Sequence, residues 1–125
     1  MTLDHLIVPV NDAKASVGFY ESVLGFHYEG EDGPFSVVRV SPDLMLLLSA
    51  HGTKGGGHYA FRLSREEFDV VFSRLRDRQI PYGDAYDTVG SMKGPGRERS
   101  ARGEGSSVYF WDPNQHLLEI VGYER

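Results

Sequence analysis

The sequence predicts an α+β domain in which one module, a strand followed by a helix and then further strands, occurs twice. Two observations support this: a strand-like segment precedes a helical pattern in each half, and a glycine-rich segment separates the halves. The modules are residues 1–50 and 58–125, with the linker HGTKGGG at 51–57. Because 125 residues is an ordinary length for one domain, we expect a single domain at 1–125 built from these two modules.

The first module begins with LDHLIVPV at 3–10, which is rich in the residue types of a strand. Asn11 or Asp12 can cap the helix that follows, and Gly25 suits the left-handed backbone conformation that often ends a helix. Two further apolar segments flank a short turn and therefore predict a hairpin; they are FSVVRV at 35–40 and LMLLLS at 44–49.

The second module opens with HYAFRL at 58–63 and continues into the better marked of the two helices. Ser64 and Glu67 have the spacing of a capping box, and the helix must end before Pro81. From residue 82 to residue 107 the chain is rich in glycine and lacks apolar periodicity, so we expect a long mobile loop there. A final hairpin is predicted from VYFWD at 108–112 and HLLEIVGY at 116–123.

Composition excludes several classes of function. A net charge of −5 gives no general attraction to nucleic acid or to an anionic membrane surface. No apolar segment approaches the roughly 20 residues that a membrane span needs, and Asp4 and His5 stand where a signal peptide would carry its apolar core, so a cytoplasmic location is expected. Since there is no cysteine, thiolate nucleophiles are excluded and any metal would be bound through nitrogen and oxygen.

Three residues on predicted strands make a metal site the first functional hypothesis. His5 and His58 lie near the start of the opening strand of each module, and Glu119 lies between two apolar residues in the last strand. A carboxylate among apolar neighbours is costly to bury unless a cation or a hydrogen-bond donor meets it. Imidazole and carboxylate together suit divalent metals such as Fe(II), Mn(II) and Zn(II). The alternative for His5 is a strand residue whose ring is satisfied by the backbone.

Three sequence segments resemble the vicinal oxygen chelate superfamily, which includes glyoxalases, bleomycin-resistance proteins, fosfomycin-resistance thioltransferases and extradiol dioxygenases. These are LDHLIVPV followed by SVGFYESVLGF, the HYAF that opens the second module, and the closing VYFWDPNQHLLEIVGYE. The resemblance implies two βαβββ modules forming a curled, U-shaped mixed sheet, with a metal-binding cleft on its concave side that is often completed across a homodimer. Gln115 stands where the family usually has glycine, which affects the conformation of the turn.

The resemblance also assigns residues to the cleft. The family's metal-ligand positions are matched by His5, His58 and Glu119. The resemblance implies that the bound ion is Fe(II) or Mn(II), with Zn(II), Ni(II) or Co(II) acceptable. Tyr109 lies ten residues before Glu119, as a tyrosine does in both the extradiol dioxygenases and the fosfomycin enzymes, so it is expected to hydrogen-bond the substrate and act as a catalytic residue. The sequence is compatible with His5 joining the other two ligands either within one subunit or across a dimer.

Two departures from the family pattern limit the range of reactions that the resemblance implies. LMLLLS supplies no fourth metal ligand of the kind that glyoxalase I has, and Ile7 stands where fosfomycin enzymes usually carry a hydroxyl residue. The resemblance therefore implies a metal-dependent enzyme that chelates a small substrate through two neighbouring oxygens, as extradiol dioxygenases do. The alternatives are a glyoxalase-type or fosfomycin-type lyase or transferase, and a bleomycin-resistance-like protein that binds a small molecule or antibiotic without catalysis.

Four arginines are further candidates for substrate binding. Arg62 shares the His58 face of its predicted strand, so it could orient a carboxylate substrate or pair with an acidic neighbour. Arg97, Arg99 and Arg102 concentrate in the predicted loop, where they could close over an anionic substrate. The simpler alternative for these three is a solvated loop surface.

Overall fold

The computed structural model describes residues 1–123 and divides the chain into two compact units. The first unit contains Met1–Gly55 together with Pro113–Gln115, and the second contains Gly56–Asp112 together with the residues from His116 onward. Within the described residues, each unit has one helix and one mixed sheet, which confirms the predicted α+β class with a repeated module. Neither of these helices has the length and apolar character needed to cross a membrane.

In the first unit the elements follow the order strand, helix and three strands. They are β1 (His5–Pro9), α1 (Ala13–Ser22), β2 (His27–Asp32), β3 (Phe35–Ser41) and β4 (Leu44–Ser49). The sheet order is β1-β4-β3-β2, in which β1 and β4 are parallel and the other neighbours are antiparallel. The predicted hairpin of β3 and β4 is therefore confirmed.

The ends of α1 follow from local chemistry. The Asp12 carboxylate accepts a hydrogen bond from the Ala15 backbone N–H, which identifies Asp12 rather than Asn11 as the cap. Gly25 has a φ of +79°, the left-handed conformation expected just beyond the helix. The buried core of this unit is apolar and includes Val8, Tyr20, Val38, Leu46 and Leu48.

The second unit repeats this plan with one additional strand. Its elements are β5 (His58–Arg62), α2 (Arg65–Asp77), β6 (Tyr82–Gly83), β7 (Gly96–Ser100), β8 (Gly103–Trp111) and β9 (Leu117–Tyr123). The sheet order is β5-β9-β8-β6, with β7 also paired to β8. As in the first unit, the opening strand is parallel to the last strand, and the other pairs are antiparallel.

Helix α2 covers one face of the second sheet. Ser64 and Glu67 form the predicted capping box, in which each backbone N–H donates to the other residue's side chain. The apolar stripe that begins at Phe68 lies against β9, where a Cβ added to Gly122 would meet the Phe68 ring at 3.4 Å. Because side chains alternate along a strand, the odd-numbered residues of β9, including Glu119, point to the opposite face of the sheet.

The prediction of an irregular loop from residue 82 to residue 107 is correct for residues 84–95, which contain no helix or strand, and wrong for most of the rest, which belongs to β6, β7 and β8. Strand β7 pairs with the first part of β8 in antiparallel register, with Glu98 opposite Gly105. The sequence pattern misses these strands because the side chains of β7, in the segment GRERS, are polar on both faces and carry no hydrophobic alternation. The hairpin of β7 and β8 gives defined positions to charged residues that the sequence left in a loop.

The turn between β8 and β9 is built around Asn114, which is 1% exposed. Its side-chain oxygen accepts a hydrogen bond of 2.8 Å from the Asn11 N–H, and its side-chain nitrogen donates one of 3.1 Å to Ser16 Oγ. The next residue, Gln115, has a φ of +67°, in the left-handed region that glycine adopts without strain. A glycine at this position, which is usual in the family that the sequence resembles, would therefore relieve the strain in the backbone.

Candidate metal centre

A histidine and a glutamate meet on the face of the second sheet opposite α2. His58 begins β5 and lies beside Leu117, and two residues further along Ala60 lies beside Glu119, so His58 and Glu119 are diagonal neighbours on one face. The distance from His58 Nε2 to Glu119 Oε1 is 3.1 Å. Glu119 is 5% exposed, whereas the His58 side chain is half exposed. The pair therefore presents one imidazole nitrogen and one buried carboxylate at the same point.

Tyr109 approaches the same carboxylate from the neighbouring strand. In the antiparallel register of β8 and β9 it lies directly opposite Glu119, and its ring centroid is 6.2 Å from that of His58. Burial, and after it the charges of Glu119 and Glu98, raises the pKa of Tyr109 to about 12. The tyrosine hydroxyl therefore keeps its proton at neutral pH and can donate a hydrogen bond.

The electrostatics of Glu119 suit a bound cation. Burial first, and the charge of Glu98 second, raise the pKa of Glu119, while the hydrogen bond with His58 acts in the opposite direction. A carboxylate in such surroundings is stabilised by a nearby positive charge. Imidazole nitrogen and carboxylate oxygen are also a donor set that divalent Fe, Mn and Zn accept. The residues present therefore fit a divalent metal.

Two residues that the sequence analysis did not identify lie on this face. The Glu98 carboxylate on β7 is 3.5 Å from the Tyr109 hydroxyl, longer than an ordinary hydrogen bond. Ser107, two residues before Tyr109 on β8, is 1% exposed, and within residues 1–123 its Oγ has no hydrogen-bond partner. The alternation of Arg and Glu along β7 was the one available signal for Glu98, and it is informative only once the pairing with β8 is known.

The third predicted ligand belongs to the first unit. His5 begins β1, its side chain is half exposed, and its Nδ1 lies 2.8 Å from an Asp4 carboxylate oxygen. Within the described part of one chain, no group of three His, Cys, Asp or Glu side chains is placed to hold a metal ion. The structure thus brings His58 and Glu119 together, and the membership of His5 in the site stays a prediction.

Three of the candidate arginines belong to the hairpin of β7 and β8. Arg97 and Arg99 alternate with Glu98 and therefore project from the other face of β7. Their guanidinium groups lie 2.9 Å and 3.7 Å from carboxylate oxygens of Glu104. Arg102 is exposed in the turn between the two strands. Their role in substrate binding stays a prediction.

The fourth candidate, Arg62, lies at the end of β5 and lines a cavity of about 510 Å³. The cavity is formed near the start of α2, and its other lining residues are Leu63, Ser64, Arg65, Glu67 and Tyr123. Arg62 is therefore accessible to a small molecule, and its role as a substrate ligand also stays a prediction.

The fold and the polar face of its second sheet define a class of protein. A sequence model of the Glyoxalase/Bleomycin resistance protein/Dioxygenase superfamily matches residues 2–120. The chain therefore belongs to this superfamily. The resemblance inferred from LDHLIVPV, HYAF and the closing segment is confirmed.

Three similar proteins show the range of chemistry that related chains carry. Metallothiol transferase FosB of Lysinibacillus sphaericus is 27% identical over 128 residues, which cover 95% of this chain and 80% of the relative. Fosfomycin resistance protein FosX of Listeria innocua is 28% identical over 127 residues, covering 94% and 86% of the two chains. The solved structure of Oxidase ChaP-H1 matches with a TM-score of 0.82 and 30% identity, covering 99% of this chain and 97% of the other.

Proposed function

We propose that the chain is a divalent-metal-dependent enzyme that binds a small substrate through two neighbouring oxygens and carries out a reaction like that of the extradiol dioxygenases. The observation that carries the proposal is the contact of 3.1 Å between His58 and Glu119, with Tyr109 directly opposite the carboxylate. The similarity to Oxidase ChaP-H1, at 30% identity over 99% of this chain, supports an oxidative reaction.

His5, His58 and Glu119 are the proposed metal ligands, with Fe(II) or Mn(II) as the preferred ion. Three protein ligands leave about half of the positions of an octahedral ion for water or substrate. When bound, the metal supplies Lewis acidity toward two adjacent substrate oxygens. We expect the protein to act in the cytoplasm on a small molecule.

Tyr109 is the proposed catalytic residue. Because its pKa is raised to about 12, the hydroxyl is protonated at neutral pH and acts as a hydrogen-bond donor. A donor at this position stabilises negative charge that develops on a substrate oxygen during the reaction. The position of Tyr109 opposite Glu119 supports a contact between its hydroxyl and a substrate held beside that carboxylate.

The active form is proposed to be a homodimer in which His5 of one subunit joins His58 and Glu119 of its partner. A mixture of His5→Ala and His58→Ala subunits tests this arrangement. Each pure variant lacks one ligand at every site, whereas a mixed dimer keeps one complete site if the ligands come from different subunits. Recovery of metal binding on mixing supports the shared site, and no recovery, or a species of 14 kDa alone in sedimentation, contradicts it.

A fosfomycin-type transferase or lyase is the second candidate, because FosB and FosX are 27% and 28% identical to this chain. Ile7 counts against it, since this exposed hydrocarbon side chain stands where the fosfomycin enzymes usually carry a hydroxyl. A non-catalytic binding protein is the third candidate, and the retained His58–Glu119 pair counts against that one.

The three candidates are separated by reconstituting metal-free protein with Fe(II), Mn(II) or Zn(II) and adding one substrate at a time. Oxygen uptake with catechol in the presence of Fe(II) or Mn(II), but not Zn(II), supports the proposed function. Modification of fosfomycin in the presence of a thiol or water, without oxygen uptake, contradicts it in favour of the second candidate. Tight binding of either compound with no reaction favours the third.

A further inference from the structure

We propose that Glu98 determines substrate specificity: its carboxylate accepts a hydrogen bond from an uncharged, hydroxyl-bearing substrate and excludes substrates that carry a phosphonate or another anionic group. This inference rests on the proposed function, because it assigns the substrate class of the same site. It gives a role to the hairpin of β7 and β8.

The geometry of β7 aims Glu98 at the site. Side chains alternate along the strand, and the contact of 3.5 Å between the Glu98 carboxylate and the Tyr109 hydroxyl shows that Glu98 shares the face of Tyr109 and Glu119. The residue opposite Glu98 on β8 is Gly105, which has no side chain to separate the carboxylate from this face. Glu98 also acts on the pKa of both Tyr109 and Glu119, as its proximity requires.

Ser107 supplies an independent indication that a ligand binds here. Its Oγ is buried, and among residues 1–123 it has no hydrogen-bond partner, which costs free energy unless a bound group supplies one. Ser107 lies two residues before Tyr109 on β8, so the two side chains are on the same face of the sheet. Glu98 and Tyr109 together offer an acceptor and a donor on this face, and the buried Ser107 lies on the same face of β8.

This set of groups matches a neutral hydroxyl and opposes an anion. A substrate hydroxyl can donate to Glu98 while it accepts from Tyr109, whereas the ionised oxygens of a phosphonate can only accept and would face the charge of Glu98. This proposal takes the place of the predicted role of Arg97 and Arg99 in closing over an anionic substrate, because both arginines project from the other face of β7, near Glu104, and do not offset the charge of Glu98. The hairpin therefore turns its negative side toward the site.

The test compares Glu98→Gln with Glu104→Gln, which removes one negative charge from the other face of the same hairpin. Binding of catechol and of methylphosphonate to Mn(II)-loaded protein is measured by calorimetry, after the Mn(II) content of each variant is checked. We expect Glu98→Gln to lower the affinity for catechol roughly tenfold, the effect of replacing a charged hydrogen-bond acceptor by a neutral one, and to raise the affinity for methylphosphonate. Glu104→Gln should leave both affinities unchanged.

The proposal is overturned if the ratio of the two affinities is the same in Glu98→Gln and wild type, if Glu104→Gln changes it equally, or if wild type does not bind catechol. A wild-type chain that takes up no Mn(II) contradicts the proposed function instead. In that case the affinities for catechol and methylphosphonate are compared between metal-free wild type and metal-free Glu98→Gln. The proposal expects the ratio of the two affinities to change as it does in the Mn(II)-loaded protein.

Discussion

His58 Nε2 lies 3.1 Å from Glu119 Oε1, although 61 residues separate the two in the chain. They meet because the opening strand of the second unit is parallel to its last strand. The first unit has the same pairing, with His5 beside Met45 and Ile7 beside Leu47. By this correspondence, Leu47 occupies the position in the first sheet that Glu119 occupies in the second. The equivalent position therefore carries a carboxylate in the second unit and a hydrocarbon in the first.

In the proposed shared site, where His5 is a ligand, a carboxylate at Leu47 should act as an additional ligand, because Leu47 has the same register relation to His5 that Glu119 has to His58. We expect Leu47→Glu to bind Mn(II) more tightly than wild type by about 10- to 100-fold, the range by which changes around metal sites alter affinity. Leu47 is partly exposed, so the charge can be accommodated without a fully buried position. Calorimetric titration measures the change, and Leu47→Gln is the uncharged control. Equal affinities in the two variants would show that position 47 lies away from the metal.

Tyr109→Phe should reduce turnover far more than it changes metal content. The variant keeps the ring but loses the donor whose pKa is raised to about 12, and loss of such a group costs about 10²-fold or more in rate. The measurement is kcat on the substrate that the reconstitution assay identifies, together with metal content by elemental analysis. Tyr123→Phe removes a hydroxyl that contacts Ser100 and serves as the control. Unchanged turnover in Tyr109→Phe would remove this residue from the mechanism.

Gln115→Gly should stabilise the protein. A non-glycine residue in the left-handed region costs about 1–2 kcal/mol, and the greater freedom of glycine in the unfolded chain cancels part of the gain, so the free energy of unfolding should rise by about 0.5–1 kcal/mol. The φ of +67° at Gln115 is the basis of this expectation. Urea denaturation measures it, and Gln115→Ala, which keeps the Cβ atom, should show no gain. An equal gain in both variants would mean that the side chain, not the backbone, causes the strain.

Asn114→Ala should destabilise the first unit. Its side chain bonds the Asn11 N–H and Ser16 Oγ, and Ser16 is fully buried, so truncation leaves a buried polar atom without its partner. We expect a loss of about 2–3 kcal/mol in the free energy of unfolding, measured by urea denaturation. A loss no greater than that in Gln115→Ala, one residue away, would contradict the structural role of this turn.

The sequence predicts those parts of the fold that depend on local pattern. The capping box of Ser64 and Glu67 is read from a spacing of three residues, and Glu119 is recognised because a charge interrupts an apolar strand. Tyr109 also follows from spacing, relative to Glu119. The first two signals are properties of a single helix or strand, whereas the spacing of Tyr109 and Glu119, which lie on β8 and β9, is informative only through the resemblance to the superfamily.

The sequence does not predict what depends on pairing between distant segments. The sequence does not identify Glu98 as a site residue because β7 is polar on both faces. Only the register of β7 with β8 shows which face of the sheet carries the Glu98 side chain. The hydrogen bond from Asn114 to Ser16 joins residues 98 positions apart, and no pattern within either segment indicates it. The partnerless Oγ of Ser107 likewise becomes apparent only when its neighbours are in place.

The most direct test of the central claim, a metal site made by His5, His58 and Glu119, is calorimetric titration of metal-free protein with Mn(II). Wild type should bind one ion per chain, and Glu119→Gln, which keeps the shape of the side chain but loses its charge, should bind at least about 100-fold more weakly. His27→Ala, which removes an exposed histidine at the start of β2, should bind as wild type does. Binding of Mn(II) by Glu119→Gln as tightly as by wild type would contradict the account.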